Sequence, residues 1–333
     1  MRDERSDLLS LAGELFRRPS PSGQEYLART FVRQHLETCG FGVAIDRAGN
    51  LLACRGIPAP DEGYPCLSFH LDMVHDWQPS MPRRHQRGTG ALPRPFSWRK
   101  EIRLLTWDEA FTIERGLIHT QGQRILGGDD KCGGAIACSL AQHTGYPLKI
   151  IASVEEEIGC LGIEQVDPSF FEDVSYALVL DRRGNRDLIT QIGRRSLCSA
   201  SFAAQVIAAA ASLGHQVETT KGRRSDALTI AGYVDEVVNM SVGYHRPHTA
   251  REYVVIRELW TASCWAHACL NALPRPRHLP YHARPMRQHT SSTQPEIWYD
   301  ICHRCGRWRF PLHAWDGEII EEICLCEVIP PLW

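Results

Sequence analysis

The sequence lacks any uninterrupted apolar run of the roughly 18 residues that a transmembrane helix requires. It also lacks an excess of either charge, because 37 basic and 39 acidic residues leave a formal net charge of −2. We therefore expect no membrane span, and charge gives no general argument for a nucleic acid or an anionic membrane as partner. The first five residues, Met1 to Arg5, lead into a short amphipathic segment and not into the hydrophobic core of a secretory signal peptide.

No regular spacing relates the 13 cysteines, and their number is odd. A disulfide framework in a secreted domain has an even set at regular spacings, whereas reduced thiols are typical of the cytosol. No internal repeat or low-complexity run is present either. We therefore expect a cytoplasmic protein, whose 333 residues suffice for one large domain or two ordinary ones. The sequence indicates no particular oligomeric state.

Short apolar runs alternate with segments of helical periodicity along the first part of the chain. Helices are predicted over 7–18, 22–39 and 203–213, the second starting at a capping box formed by Ser22 and Glu25. This alternation predicts an α/β fold, a three-layer sandwich with a mixed, mostly parallel central sheet. The runs predicted as strands are 42–46, 50–54, 66–69, 148–154, 178–180, 188–192 and 237–242.

Two segments break the alternation. Between about 77 and 113, prolines and arginines are frequent, which predicts a long basic loop inserted into the domain. After residue 258, periodicity is lost, and cysteine, histidine and tryptophan become frequent. We therefore predict one domain over 1–258 and a small irregular C-terminal segment over 259–333.

Two adjacent carboxylates, Asp129 and Asp130, lie between paired glycines at the start of a predicted helix. The glycines permit backbone conformations that other residues disfavour, and a helix N-terminus favours negative charge. The two carboxylates still repel each other unless a cation lies beside them. The stretch therefore indicates either a helix cap or a cation site.

Further polar clusters also follow strand-like runs. Strand C-termini meet at one edge of an open α/β sheet, where ligands bind. Carboxylates and imidazoles collected there must be metal-bound, solvated or paired, since burying bare charge is costly. Mixed imidazole and carboxylate ligands suit zinc, with cobalt or manganese as alternatives. Taken singly, each cluster has a simpler interpretation as a satisfied polar group or a solvated turn. The clusters are His70-Leu71-Asp72, Glu156-Glu157, Asp181 and Tyr244 to Thr249.

These clusters resemble, in the same order, the motifs of the co-catalytic di-zinc exopeptidases, a superfamily that includes zinc aminopeptidases and peptidase T-like enzymes. The resemblance covers about 7–254 and implies a zinc-exopeptidase-like catalytic domain. The interval between Asp181 and His248 is too short for the lid domain that carboxypeptidase-like relatives insert there, which implies a lidless form. The matching stretches are SFHLD at 68–72, LGGDDKCGG at 126–134, EEIG at 156–159, LVLD at 178–181 and SVGYHRPHT at 241–249.

The resemblance also implies a role for each site residue. Two divalent metal ions, expected to be zinc, would be bridged by one carboxylate. Asp72 would orient a ligand imidazole, and Glu156 would act as the general base. Asp130 would lie in the turn beside the bridge. The implied ligands are the bridging Asp129, His70 and Asp181 on one metal, and Glu157 and His248 on the other.

Two assignments near the site stay open. His245 lies in the same stretch as His248 and could replace it as the ligand if the register differed. Arg182 and Arg246, among several arginines close to the clusters, are candidates to bind a substrate carboxylate through paired hydrogen bonds. The alternative for these arginines is a solvated basic rim.

The implied activity is that of a metal-dependent exopeptidase, an aminopeptidase that hydrolyses short peptides. One alternative is a deacylase or other amide hydrolase that uses the same site on a non-peptide substrate. Another is an inactive metal-binding scaffold whose tail binds a partner. The C-terminal segment lies outside the resemblance, and its cysteines form either an additional structural zinc site or ordinary reduced thiols. These cysteines are Cys302, Cys305, Cys324 and Cys326.

Overall fold

The computed structural model describes residues 2–74 and 102–277, and the backbone of 310–313 and 319–323. None of the helices within these ranges is long and apolar enough to cross a membrane. The helices are α1 Arg2–Phe16, α2 Tyr26–Thr38, α3 Trp107–Ala110, α4 Gly128–His143, α5 Ala200–Ala211, α6 Asp226–Ile230 and α7 Ile256–Ala272. The strands are β1 Gly42–Ile45, β2 Leu51–Arg55, β3 Tyr64–His70, β4 Thr112–Glu114, β5 Leu117–His119, β6 Leu148–Ser153, β7 Val174–Arg182, β8 Asp187–Ile192, β9 Arg195–Ser196, β10 Glu218–Gly222, β11 Val237–Ser241, β12 Tyr244–His245, β13 Tyr253–Val255, β14 Phe310–His313 and β15 Ile319–Ile323.

A nine-stranded sheet forms the centre of the fold, in the order β1-β2-β6-β3-β7-β11-β8-β10, with β9 paired to β8. The four central strands β6, β3, β7 and β11 are parallel to their neighbours in this group. Antiparallel pairs flank them, between β2 and β6 on one side and between β11 and β8 on the other. The predicted α/β fold with a mixed, mostly parallel central sheet is confirmed.

Both faces of the sheet are covered, and alternate residues of each central strand face opposite layers. On β3, Leu67 and Phe69 pack into one hydrophobic cluster, while Cys66 packs into the other. The first cluster includes residues of α1, α2, α4, α5 and α7. The second includes residues of α6 and of two 3-10 helices, Ile163–Gln165 and Pro168–Phe171. This arrangement is the predicted three-layer sandwich.

The predicted capping box at the start of α2 is wrong. Glu25 takes the N-cap position and makes no side-chain cap hydrogen bond. The hydroxyl of Ser22 instead donates to Asp72 Oδ2 (2.7 Å), and Glu25 Oε1 accepts from the Gly23 N–H (2.6 Å). Both side chains are therefore engaged by groups other than the helix N-terminus, and one of those groups belongs to a predicted site residue.

The predicted domain boundary between residues 258 and 259 is also wrong, because it falls within α7. Leu259, Trp265 and Leu270 on this helix are fully buried, and Trp265 Nε1 donates to the Val206 carbonyl (3.0 Å). The helix therefore belongs to the first of two compact units, Met1–Arg284, which is followed by Pro285–Trp333. In the second unit, the structure describes one antiparallel strand pair, β14 with β15.

The predicted basic loop is only partly within the described ranges. Residues 75–101 lie outside them, whereas 102–113 include α3 and the start of β4, so the loop prediction is wrong for this last part. Strand β4 joins an antiparallel four-stranded sheet in the order β12-β13-β5-β4. Between Asp181 and His248, the chain forms strands and helices of the same compact unit, as the lidless form predicts.

Candidate metal centre

The predicted site residues lie at the C-terminal edge of the parallel strands. His70 is the last residue of β3, and Asp181 is the penultimate residue of β7. Glu156 and Glu157 follow the end of β6 by three and four residues, in a turn closed by the Gly159 N–H on the Glu156 carbonyl (2.9 Å). Because these three strands are parallel and adjacent, their ends deliver the side chains to one place.

The two carboxylate oxygens of Asp129 face different imidazoles. Asp129 Oδ1 lies 3.1 Å from His70 Nε2, and Asp129 Oδ2 lies 3.1 Å from His248 Nε2. Each imidazole also faces a second carboxylate: His70 Nε2 is 3.6 Å from Asp181 Oδ1, and His248 Nε2 is 2.9 Å from Glu157 Oε1. Ligand atoms bound about 2.0–2.2 Å from one tetrahedral metal are spaced about 3.3–3.6 Å apart. The geometry thus provides two neighbouring ligand groups that share Asp129.

Asp130 faces the backbone rather than the imidazoles. It lies close enough to His70 and Asp181 to form a third potential ligand group with them. However, its Oδ2 accepts from the His70 N–H (3.2 Å) and its Oδ1 from the Gly133 N–H (3.1 Å). Both Asp129 and Asp130 have non-helical φ and ψ, joined by a cis peptide bond, so the regular part of α4 begins after them.

Asp72 links the two ends of the site. His70 Nδ1 donates to the Asp72 carbonyl (2.9 Å) and lies 3.3 Å from Asp72 Oδ1, so on the neutral ring the Nε2 lone pair would be the one available to a cation. The same carboxylate accepts from the N–H of Glu156 (2.9 Å) and from that of Glu157 (3.1 Å). One buried side chain therefore fixes an imidazole on β3 and the acidic turn after β6.

Burial and mutual repulsion shift the pKa values of the site residues. Burial, with nearby carboxylates adding to it, raises the pKa of Glu156 to about 9, of Glu157 to about 7 and of Asp181 to about 6. Hydrogen bonds to Asp129 and Glu157 raise the pKa of His248 to about 10. Burial favours the neutral form of Asp129, but hydrogen bonds from the two imidazoles outweigh it and lower the pKa of that carboxyl. Bound cations would lower the pKa values of these carboxyl groups, because positive charge nearby favours the ionised form.

The donor set fits two divalent metal ions. Glu157 Oε1 is buried and lies 2.9 Å from His248 Nε2, which also lies 3.1 Å from Asp129 Oδ2. An imidazole nitrogen placed between two carboxylate oxygens at these separations is an arrangement that a shared cation would satisfy. The imidazole and carboxylate donors match those of zinc sites, and the site also suits cobalt or manganese.

Several residues that hold the site in place were missed by sequence reasoning. Glu252 is 1% exposed, and its carboxylate accepts from the N–H groups of Gly127 (2.7 Å) and Asp129 (3.0 Å). The Tyr244 hydroxyl donates to Asp181 Oδ1 (3.1 Å), and Asn239 Oδ1 accepts from the Asp181 N–H (3.2 Å). Tyr244 lies in a stretch that carries the resemblance, but no local pattern distinguishes Glu252 or Asn239 from an ordinary surface or strand residue.

The structure also shows where the alternative ligand His245 and the two candidate substrate-binding arginines lie. His245 Nε2 is paired with Glu258 Oε2 (2.6 Å), and its ring stacks on Tyr253, so it is not among the groups around Asp129. Arg182 is bound by Asp187, with its Nε 2.8 Å and its Nη2 2.5 Å from one carboxylate oxygen. Arg246 is exposed and lines a different cavity from the metal centre.

A cavity of about 540 Å³ opens onto the cluster. Its lining includes site carboxylates and His248, together with the arginines Arg182, Arg183, Arg223 and Arg224. Its volume is within the usual range of small-molecule sites, about 300–1,000 Å³. The four C-terminal cysteines predicted as a zinc site, Cys302, Cys305, Cys324 and Cys326, lie outside the described residues.

Comparison with known proteins gives a consistent result for the fold. No protein-family model matches the sequence, and no curated protein matches it either. Among solved structures, it is similar to the aminopeptidase PepT from Bacillus cereus, at 17% identity and a TM-score of 0.61 over 79% of this chain and 97% of that one. A tripeptidase from Staphylococcus aureus is 14% identical, with a TM-score of 0.59 over 79% of this chain and 97% of that one. A TET aminopeptidase from a marine-sediment Thaumarchaeota archaeon is 14% identical, with a TM-score of 0.60 over 81% of this chain and 97% of that one. The chain therefore has the fold of these peptidases, as its resemblance to the co-catalytic zinc exopeptidases predicted.

Proposed function

We propose that this protein is a metal-dependent aminopeptidase that hydrolyses short peptides. The observation that carries the proposal is the position of Asp129. Each of its carboxylate oxygens lies 3.1 Å from a different imidazole, and each imidazole faces a second carboxylate. A single carboxylate between two such groups would hold two divalent cations as a ligand shared by both.

The proposed metal ligands divide into two sets that share the bridge. Asp72 holds His70 through its Nδ1 side, and Asp130 holds the backbone beside the bridge. When bound, two divalent ions polarise a peptide carbonyl, lower the pKa of water and stabilise negative charge on the oxygen. The two sets are His70 and Asp181 on one side of Asp129, and Glu157 and His248 on the other.

Glu156 is the proposed general base. It lies beside Glu157 in the acidic turn and lines the cavity, but it is not among the groups that face Asp129. A carboxylate in this position accepts a proton from the attacking water and passes it to the leaving amine, a step worth about 10²–10⁴ in rate. With a pKa of about 9 in the metal-free chain, it is protonated at neutral pH, and nearby cations favour its ionised form.

The proposal of a short peptide substrate rests on the cavity and on the peptidases that share the fold. A cavity of about 540 Å³ accommodates a few residues. The chain between Asp181 and His248 adds no lid domain. A deacylase would use the same carboxylates and imidazoles, so the substrate class is decided by assay.

The purified chain should be assayed on aminoacyl amides, dipeptides, tripeptides and N-acyl amino acids, with zinc, cobalt or manganese and after chelation. We expect metal-dependent release of the N-terminal residue and little hydrolysis of N-acyl substrates. Turnover of N-acyl amino acids alone would identify a deacylase instead.

Glu156→Gln tests the mechanism. We expect kcat to fall by about 10²–10⁴, because the amide cannot accept the proton. The two metals proposed at Asp129 should stay bound by elemental analysis, because Glu156 is not among their ligands. Glu37→Gln, an exposed substitution on α2, is the matched control and should leave kcat unchanged. Activity that survives in Glu156→Gln would refute the assignment of the base.

A further inference from the structure

A second group of potential metal ligands lies beside the proposed base. Glu156, Cys160 and Asp226 each offer one atom, and these three atoms lie within 4.8 Å of one another. We propose that they form an additional divalent-metal site, selective for thiophilic ions such as zinc, whose occupation inhibits the enzyme. The binding site is independent of the proposed function, whereas the inhibition rests on it.

The spacing within the group suits a small tetrahedral ion. The Cys160 thiol donates to Glu156 Oε1, and Sγ lies 3.4 Å from that oxygen. For a zinc ion with bonds of about 2.3 Å to sulfur and about 2.0 Å to oxygen, tetrahedral geometry places these two ligands about 3.5 Å apart. The thiol and the carboxylate therefore already have the separation that zinc requires.

Asp226 provides an independent indication of a ligand. This side chain is 2% exposed, at the start of α6. Its Oδ2 accepts from the Ser153 hydroxyl, whereas its Oδ1 is buried and has no hydrogen-bond partner among the described residues. A buried carboxylate oxygen without a partner is costly, and a cation shared with Cys160 and Glu156 would satisfy it.

The local backbone holds the thiol over the carboxylate. Cys160 has φ of +59°, and its N–H donates to the Glu156 carbonyl (2.8 Å), so the chain turns back on itself between the two residues. Both residues line the cavity of the metal centre, as does Ser225, the neighbour of Asp226. An ion therefore reaches the group through the opening that admits the substrate.

Occupation of this site has a defined chemical consequence. Zinc forms one bond to the Cys160 sulfur and one to each carboxylate, and the thiol proton passes to solvent. Glu156 then shares its electron pair with the ion and cannot accept a proton from the attacking water. Excess zinc would thus inhibit without displacing the ions at Asp129.

Cobalt titration tests the site directly, because a thiolate bound to cobalt(II) gives a charge-transfer absorption that carboxylate and imidazole ligands do not. We expect this absorption, and one further metal equivalent, in the wild type and in a Cys302→Ser/Cys305→Ser control that removes a pair of C-terminal thiols. Cys160→Ala and Asp226→Asn should each weaken binding at this site by at least about tenfold. Equal absorption and stoichiometry in the Cys302→Ser/Cys305→Ser control with and without Cys160→Ala would overturn the proposal.

Inhibition is measured separately on active enzyme. Relative to each variant's own uninhibited rate, the zinc concentration for half inhibition should rise at least about tenfold in Cys160→Ala. If the chain bound the extra ion through Cys160 but hydrolysed no peptide, the proposed function would fail while the site remained. If zinc inhibited the wild type and Cys160→Ala equally, the inhibitory role would be refuted.

Discussion

Asp129 is the residue on which the candidate centre depends. The sequence could predict that two adjacent carboxylates need a cation, because like charges repel at short distance. Physical reasoning from the residues alone could not establish which of the pair faces the imidazoles, since that depends on backbone angles; the family resemblance is what implied Asp129. In the structure, Asp129 contacts His70 and His248, whereas Asp130 accepts hydrogen bonds from backbone N–H groups. Identical residue types in adjacent positions thus have different surroundings.

Removing the bridge and removing one terminal ligand should have different effects. Asp129→Asn is expected to weaken both metals together, because its carboxylate belongs to both ligand groups. His70→Ala should chiefly weaken the metal shared with Asp181. Metal content after dialysis at a series of free zinc concentrations distinguishes the two patterns, with the exposed Asp108→Asn on α3 as control. Independent loss of the two ions in Asp129→Asn would contradict the bridging role.

Glu252 is expected to act as a positioning residue for the bridge. Its carboxylate accepts from the N–H groups of Gly127 and Asp129, and a Gln side chain has only one acceptor oxygen for these two donors. Glu252→Gln should therefore lower metal affinity by about 10–100-fold, the usual effect of losing a partner behind the ligands.

The control for Glu252→Gln is Glu258→Gln, which removes the partner of His245 outside the metal centre. A structural role alone would lower the stability of both the metal-free and the metal-loaded chain without changing zinc affinity. Isothermal titration of zinc and a KM-against-kcat comparison at saturating zinc separate these cases.

At the scale of elements, the buried strands were predictable and the ends of helices were not. Strands β3, β6, β7 and β11 are covered on both faces, so most of their residues are apolar and the runs are evident in the sequence. The start of α2 could not be predicted, because Ser22 binds Asp72 across the fold and not its own helix. Helix α7 was missed because its two tryptophans, two cysteines and one histidine have the composition of a metal-binding segment, although its apolar residues recur at helical spacing.

The contact between α4 and β7 is close enough to require glycine. A Cβ atom at Gly133 would lie 2.1 Å from the Leu180 carbonyl oxygen and 2.6 Å from Asp130 Oδ1. Gly133→Ala should therefore displace α4 and destabilise the chain by about 1–3 kcal/mol, the usual cost of overpacking. It should also weaken metal binding, since Asp130 and the bridge move with the helix start.

Gly145→Ala is the matched control, because a Cβ atom there meets no heavy atom within 4 Å. Urea denaturation of the two metal-free variants gives the comparison in free energy of unfolding. Equal stabilities would show that α4 and β7 tolerate a methyl group between them.

For the whole molecule, the direction of the chain along the sheet explains why the site forms. The central parallel strands share one orientation, so four separate sequence clusters reach the same edge, although up to 178 residues separate His70 from His248. This convergence could be predicted from the alternation of apolar runs and helical segments along the sequence. The contacts that fix the cluster, from Glu252, Tyr244 and Asn239, arise from tertiary packing and have no local signal in the sequence.

The concentration of buried acids should make the stability of the metal-free chain depend on pH. The pKa of Glu156 is raised from 4.5 to about 9 and that of Glu157 to about 7, so the folded chain keeps protons that the unfolded chain has released. The stabilisation that these two protonated carboxyl groups give to the folded chain is fully present below about pH 4.5. It is lost as pH rises through about 7, where Glu157 ionises, and about 9, where Glu156 ionises. His248, raised from 6.5 to about 10, acts in the same direction at higher pH. Each such proton changes the free energy of unfolding by up to about 1.4 kcal/mol per pH unit.

Bound metal should reverse this dependence, because cations replace protons on the same groups and bind more tightly as those groups ionise. We expect the rise in melting temperature on adding zinc to be larger at about pH 8.5 than at about pH 6. Thermal unfolding with chelator and with saturating zinc, across this range, gives both curves. In Glu156→Gln, the metal-free chain lacks one titrating carboxyl, so its melting temperature should fall less steeply with pH than that of the wild type. Parallel curves for the two metal-free chains would show that Glu156 does not hold a proton in the folded state, and the base would then be ionised without help from a cation.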